Sequence, residues 1–177
     1  MAGNRPGRRR KAAIDPPFGR LRHDHGRCVA AALAAAQSLC AGRGARLTPL
    51  RRYVLELIWQ RHGPIGAYEL LDRLRLRWPR AAPPTVYRTL DFLAGNGLIH
   101  RIDSLNAYIG CAAPNRSHRA YFLICRGCGQ AAELADGALA DALDHAARHA
   151  DFTALGQTVE VSGYCAPCRA LPISERS

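Results

Sequence analysis

The sequence predicts an α+β chain in two parts, on three observations. Four amphipathic segments bounded by Gly and Pro follow one another, a short alternating strand pair comes after the fourth, and two CxxC pairs sit in a strand-richer C-terminal stretch. The helices and hairpin make one unit, and the cysteines organise the other.

Residues 1–27 hold eight Arg/Lys against two Asp, are rich in Gly, Pro and Arg, and lack an amphipathic period. They are expected to form a disordered basic tail that either solubilises the chain or tracks along DNA. His23 and His25 flank Asp24, but a flexible tail is a poor metal site. From Cys28, the Ala-rich CVAAALAAAQSLCAGRG predicts a first helix stopped by Gly42 and Gly44. LTPLRRYVLELIWQRHG opens with Thr48 as N-cap and Pro49 at the first helical position, and buries Val54, Leu55, Leu57 and Ile58. In AYELLDRLRLRWP, Leu70, Leu71, Leu74 and Trp78 mark the inner face. PPTVYRTLDFLAGNG starts at Pro83-Pro84, turns Val86, Leu90 and Leu93 inward, and ends at Gly95-Asn96-Gly97.

The strand pair is LIHRI and NAYIGC around the turn Asp103-Ser104-Leu105-Asn106. Helices followed by a hairpin in this order predict a winged helix-turn-helix, with a plain helical bundle as the bland alternative. Net positive charge on the third and fourth segments favours DNA. The first turns of the fourth segment then reach base edges, which selects Thr85, Tyr87 and Arg88.

Beyond AAPNRS the composition shifts. HRAYFLICRGCGQAAEL predicts two strands around Cys125/Cys128, DGALADALDHAARHAD a helix with Leu139 and Leu143 inward, and FTALGQTVEVSGYCAPC a strand leading to Cys165/Cys168. Two chelating thiolate pairs complete a closed tetrahedral zinc shell, a structural metal. A redox CxxC would need a strand-to-helix turn in a βαβ unit, a setting the sequence gives to neither pair. With 36 residues between Cys128 and Cys165, the site is expected to pin a helix and a strand, so that metal binding contributes to folding.

A second set, His100, Cys111, His118 and Glu133, offers N, S and O donors suited to zinc. Singly these are ordinary residues: a lone Cys is usually a small buried hydrophobe, and a lone His or Glu is usually solvated.

The 177-residue chain carries a net charge of +11, is 48% hydrophobic, and has no apolar run near the ~18 residues of a membrane span. A soluble cytoplasmic protein with nucleic acid as partner is expected, and seven cysteines fit a reducing compartment. A zinc deaminase is disfavoured: Pro167-Cys168 is half of a PCxxC, but no HxE element or downstream Cys accompanies it.

LTPLRRYVLELI, AYELLDRL, PPTVYRTLDFLAGNGLIHRID, FLICRGCG and CAPC, in order and spacing, resemble the ferric uptake regulator superfamily, most closely its zinc-sensing branch. The resemblance covers about residues 28–170. It implies an N-terminal winged-helix domain hinged to a small α/β dimerisation domain stapled by zinc, with boundaries at 28–108, 109–117 and 118–177. It also implies a homodimeric, non-enzymatic repressor with two zinc ions per chain, one held by Cys125, Cys128, Cys165 and Cys168. The other, at His100, Cys111, His118 and Glu133, would switch the dimer into a shape that binds operator DNA. Tyr87 and Arg88 match its base-contacting pair, and Asp72 and Arg75 match contacts between neighbouring dimers; without the resemblance these last two are an i,i+3 helix pair worth ~0.3 kcal/mol. Only His118 stands in NRSHRAYF, where iron-sensing members carry a His-rich run, and the Cys111 thiolate favours zinc over iron or manganese. Sensing of another metal, and a non-sensing structural-zinc module, remain the alternatives.

Overall fold

Caps and prolines set the helices. The structure, a computed structural model, describes residues 13–15, 18, 24–61, 63–114 and 119–172. Its first element, β1 (Ala13–Asp15), precedes four helices: α1 (His25–Gly42), α2 (Pro49–Trp59), α3 (Ala67–Arg75) and α4 (Pro83–Gly95). The Asp24 carboxylate accepts from Arg27 N–H at 3.2 Å, so α1 begins at His25 rather than Cys28. At α2 the Thr48 hydroxyl caps Arg51 N–H at 3.4 Å and Pro49 occupies the first turn, as expected. α4 starts on Pro83-Pro84 and ends where Gly97 takes a left-handed φ of 70°.

The strands β2 (Ile65–Gly66), β3 (Ile99–Ile102) and β4 (Ala107–Gly110) form a sheet in the order β2-β4-β3, with Ile102 opposite Ala107 and Ile99 opposite Gly110. β4 therefore runs past the boundary expected at 108. A 3-10 turn, Asp103–Leu105, and Asn106 at a left-handed φ of 45° close the hairpin. Leu70, Leu74, Leu90, Leu93 and Ile58 are essentially solvent-free between the helices and this sheet. Each such side chain stabilises the fold by about 1.5–3 kcal/mol.

The C-terminal sheet has the order β1-β6-β5-β7, from β5 (Ala120–Cys125), β6 (Ala131–Ala135) and β7 (Thr158–Gly163). β7 runs parallel to β5, so the chain between β6 and β7 crosses over through α5 (Gly137–His149). Asp136 caps α5 by accepting from Ala138 N–H at 2.9 Å. Leu139 and Leu143, expected inward, are only half-buried, because a single chain supplies too little apolar surface to cover this helix. A polar chain holds α5 instead. Arg119 pairs with Asp144 at 2.7 Å, Gln157 donates to Asp144 at 2.9 Å, and Tyr121 donates to Gln157 at 3.1 Å.

The two sheets meet through a small apolar cluster in which Ile102 packs with Phe122, Ile124 and Ala131. One expectation is corrected in the basic segment. Residues 13–15 form β1, paired antiparallel with β6, and Phe18 packs against the cysteine cluster. The cause is the partner: β6 offers an unpaired edge that a three-residue segment completes, whatever its composition. The remainder of that tail lies outside the described residues, apart from Asp24 and the start of α1.

Candidate metal centres and nucleic-acid interface

Two turns bring the four thiols together. Cys125 ends β5 and Cys128 closes the tight turn that follows, with Gly129 N–H donating to Cys125 C=O at 2.9 Å and Gly129 at a left-handed φ of 67°. Cys165 and Cys168 flank the first turn of α6 (Ala166–Arg169). The second pair thus does open a short helix after a strand, the redox-like setting not expected from sequence. What separates it from a redox pair is convergence: all four sulfurs lie within 4.8 Å of one another.

Cys128 Sγ is 3.9 Å from Cys165 Sγ. A tetrahedral zinc with Zn–S near 2.3 Å sets its sulfurs about 3.8 Å apart, so these residues fit that ion. Gly127 is required by close approach, since a Cβ there would lie 2.9 Å from Cys168 Cβ and 3.0 Å from its Sγ. Burial opposes ionisation of Cys125, but N–H donors from Cys165, Cys128 and Gly127 outweigh it and pull the thiol down to about 6. Hydrogen bonding to Cys165, then burial, pushes Cys168 up to about 12. Clustered thiols of this kind ionise together only when a cation compensates them.

His100 on β3, Cys111 just after β4 and Glu133 on β6 form the second group, their donor atoms also within 4.8 Å of one another. His100 Nε2 lies 3.6 Å from Glu133 Oε1, and the His100 ring packs against Phe122 at a centroid distance of 5.6 Å. Cys111 is buried, and its N–H donates to Leu98 C=O at 3.0 Å. Burial, reinforced by the Glu133 charge, pushes its thiol up to about 11 against a backbone hydrogen bond from Ala113. Two ligand types from the first sheet and one from the second make an N/S/O set suited to zinc. His118, the fourth expected member, lies outside the described residues.

On α4, Val86, Thr89, Leu90 and Leu93 face the core, which turns Tyr87 and Arg88 to solvent and leaves Thr85 half-buried. The first turn carries no acidic residue. Asp72 and Arg75 are exposed on α3, 3.9 Å apart within the helix, and Arg75 Nε donates to Ala81 C=O at 3.2 Å.

The pattern of the ferric uptake regulator family matches residues 42–162. The chain belongs to that family. Within it, the likeness is to the zinc uptake regulator branch. The zinc uptake regulation protein of Escherichia coli (strain K12) is 40% identical over 137 residues, spanning 77% of this chain and 80% of that protein. A structure described as a zinc uptake regulator complexed with zinc and DNA superposes with a TM-score of 0.77 at 39% identity, covering 80% of this chain and 95% of that one. The holo form of XcZur gives 0.72 at 45% identity, covering 78% and 97%.

Family membership accounts together for the N-terminal helical DNA-binding unit and the C-terminal α/β unit whose four cysteines could hold zinc. Sequence reasoning missed three contacts around these sites. Phe18 packs on the cysteine cluster, Trp59 lies against Gly110, and Glu160 bonds to the hairpin tip. No helix among the described residues is long and apolar enough to cross a membrane.

Proposed function

We propose that this family member is a zinc-responsive DNA-binding repressor of zinc-homeostasis genes, acting in the cytoplasm as a zinc-loaded homodimer on palindromic operators, without enzymatic activity. One observation carries the reading: His100 and Cys111 from the winged-helix sheet converge with Glu133 from the other sheet. Ligands drawn from two units make occupancy depend on how those units sit, which a purely structural site does not require. The soft Cys111 donor favours zinc over iron or manganese.

The four cysteines would hold the structural ion, and His100, Cys111, Glu133 and His118 the regulatory one. Bound at the second site, zinc supplies a divalent charge shared by ligands of both sheets. We assign DNA binding to residues 28–108, the hinge to 109–117, and dimerisation and metal binding to 118–177. The exposure of Tyr87 and Arg88 on α4 supports their reading base edges beside Thr85, and exposed Asp72 and Arg75 would meet a neighbouring dimer.

Binding to a palindromic promoter fragment, measured against buffered free zinc, tests this. Cys111→Ser should keep its four-cysteine zinc and its dimer yet need far more free zinc to bind. Unchanged zinc dependence would overturn the assignment.

A further inference from the structure

Besides the apolar packing of Ile102 on Phe122, Ile124 and Ala131, polar groups tie the hairpin β3–β4 to the C-terminal sheet at two places. Near its base, His100 and Cys111 meet Glu133. At its tip, the N-terminal N–H groups of the 3-10 turn receive no cap from a side chain of their own segment. Glu160, on β7, supplies one from across the sheet boundary. Its Oε1 accepts from Asp103 N–H at 2.7 Å and its Oε2 from Ser104 N–H at 3.1 Å.

We infer that Glu160 is a positioning residue for zinc-dependent DNA binding, a latch that fixes the hairpin tip so that less zinc is needed to hold the DNA-competent arrangement. The inference rests on the regulatory role given above to His100, Cys111 and Glu133. The apolar packing at Ile102 is non-directional, whereas the two hydrogen bonds at the tip add a fixed direction to the hairpin. The two attachments lie on the same hairpin, with Ile102 of the shared apolar cluster beside the tip. α4 packs on β3, so the hairpin's direction is also the direction of the recognition helix.

The latch is charge-assisted. Burial pushes Glu160 up, and the hydrogen bonds from Ser104 and Asp103 outweigh it, so the carboxylate is held below its ordinary range and is ionised at neutral pH. A preformed fraction of the competent arrangement raises apparent zinc affinity in proportion to that fraction. Removing the latch lowers the fraction without touching a zinc ligand or a DNA-facing side chain.

The test is operator binding by the full chain against buffered free zinc. Glu160→Ala should move the zinc midpoint upward about tenfold, since two hydrogen bonds to a charged group are lost. At saturating zinc its operator affinity should return to within about twofold of wild type. A residue with only a folding role would lower the plateau and leave the midpoint. Glu160→Gln keeps one acceptor oxygen and should fall between.

Asp103→Pro removes the shorter donor from the other side. Ile102 before it is extended (φ −104°, ψ 107°), and Pro is accepted at a first helical position. It should reproduce the midpoint shift, and adding it to Glu160→Ala should shift the midpoint by clearly less than the two single shifts combined, which also discounts its loss of the Asp103–Arg101 ion pair. If Glu160→Ala disturbs β7, Asp103→Pro still decides. Midpoints unmoved in both variants while Cys111→Ser shifts would overturn the latch and leave the repressor reading standing. If Cys111→Ser does not move either, both fall together.

Discussion

Cys111 shows what one side chain would contribute to the proposed sensing site. Burial beside Glu133 keeps it a neutral thiol in the metal-free protein, with its pKa pushed up to about 11. Zinc binds the thiolate, so binding must expel a proton, and between pH 7 and 8 the affinity of the second site should rise about tenfold per unit for that proton. Titration calorimetry in buffers of different ionisation enthalpy would detect it, and a pH-independent affinity would exclude Cys111 as a ligand. The sign for stability is opposite. The folded pKa lies above the ordinary thiol value of about 8.5, so this contribution is intact below that pH and is lost as pH rises toward 11. Cys111 and Glu133 are ordinary residues taken singly, and only their place in the family resemblance singled them out in the sequence. Nothing singled out Glu160, an ordinary strand glutamate whose partners lie 57 and 56 residues away and are backbone groups, which carry no sequence signal.

Among the elements, α4 was read almost in full from sequence, because its buried positions 86, 89, 90 and 93 follow helical period and Pro83-Pro84 mark its start. That period leaves Arg88 facing solvent. Arg88→Ala should cost about 1–3 kcal/mol of discrimination if it reads a guanine edge, measured as preference for operator over random DNA. Retained preference would remove it from the readout. β1 was not legible, since three residues in a Gly/Pro/Arg-rich stretch have no pattern, and the strand exists because β6 needs a neighbour. α1 is longer than its Ala-rich run suggests for a simpler reason: Asp24, beside two histidines in the sequence, has the short acceptor side chain that suits an N-cap.

At the scale of the whole molecule, much of the +11 charge comes from residues 1–27, which hold eight Arg/Lys against two Asp. Deleting residues 1–12 removes five positive charges and leaves β1 in place. If those charges meet phosphates, the slope of log affinity against log salt should flatten by about 0.9 for each phosphate no longer neutralised, equally for operator and random DNA. An unchanged slope would mean the tail serves solubility alone. The two-unit architecture was legible because each unit has its own periodicity and its own cysteine or capping signals. The packing between units was not, for it depends on single side-chain pairs such as Ile102 with Phe122.

Another close approach, next to the second candidate metal site, equips the protein for observation by light. Of the two tryptophans, Trp59 lies so close to Gly110 that any Cβ there would collide with its indole, while Trp78 stacks near Tyr53 at 5.2 Å, on the helical side of the core. Gly110 directly precedes Cys111, so the indole rests on the peptide that carries the proposed regulatory ligand. Its fluorescence should therefore report on that backbone without any attached dye, with Trp78→Phe leaving Trp59 as the single indole reporter.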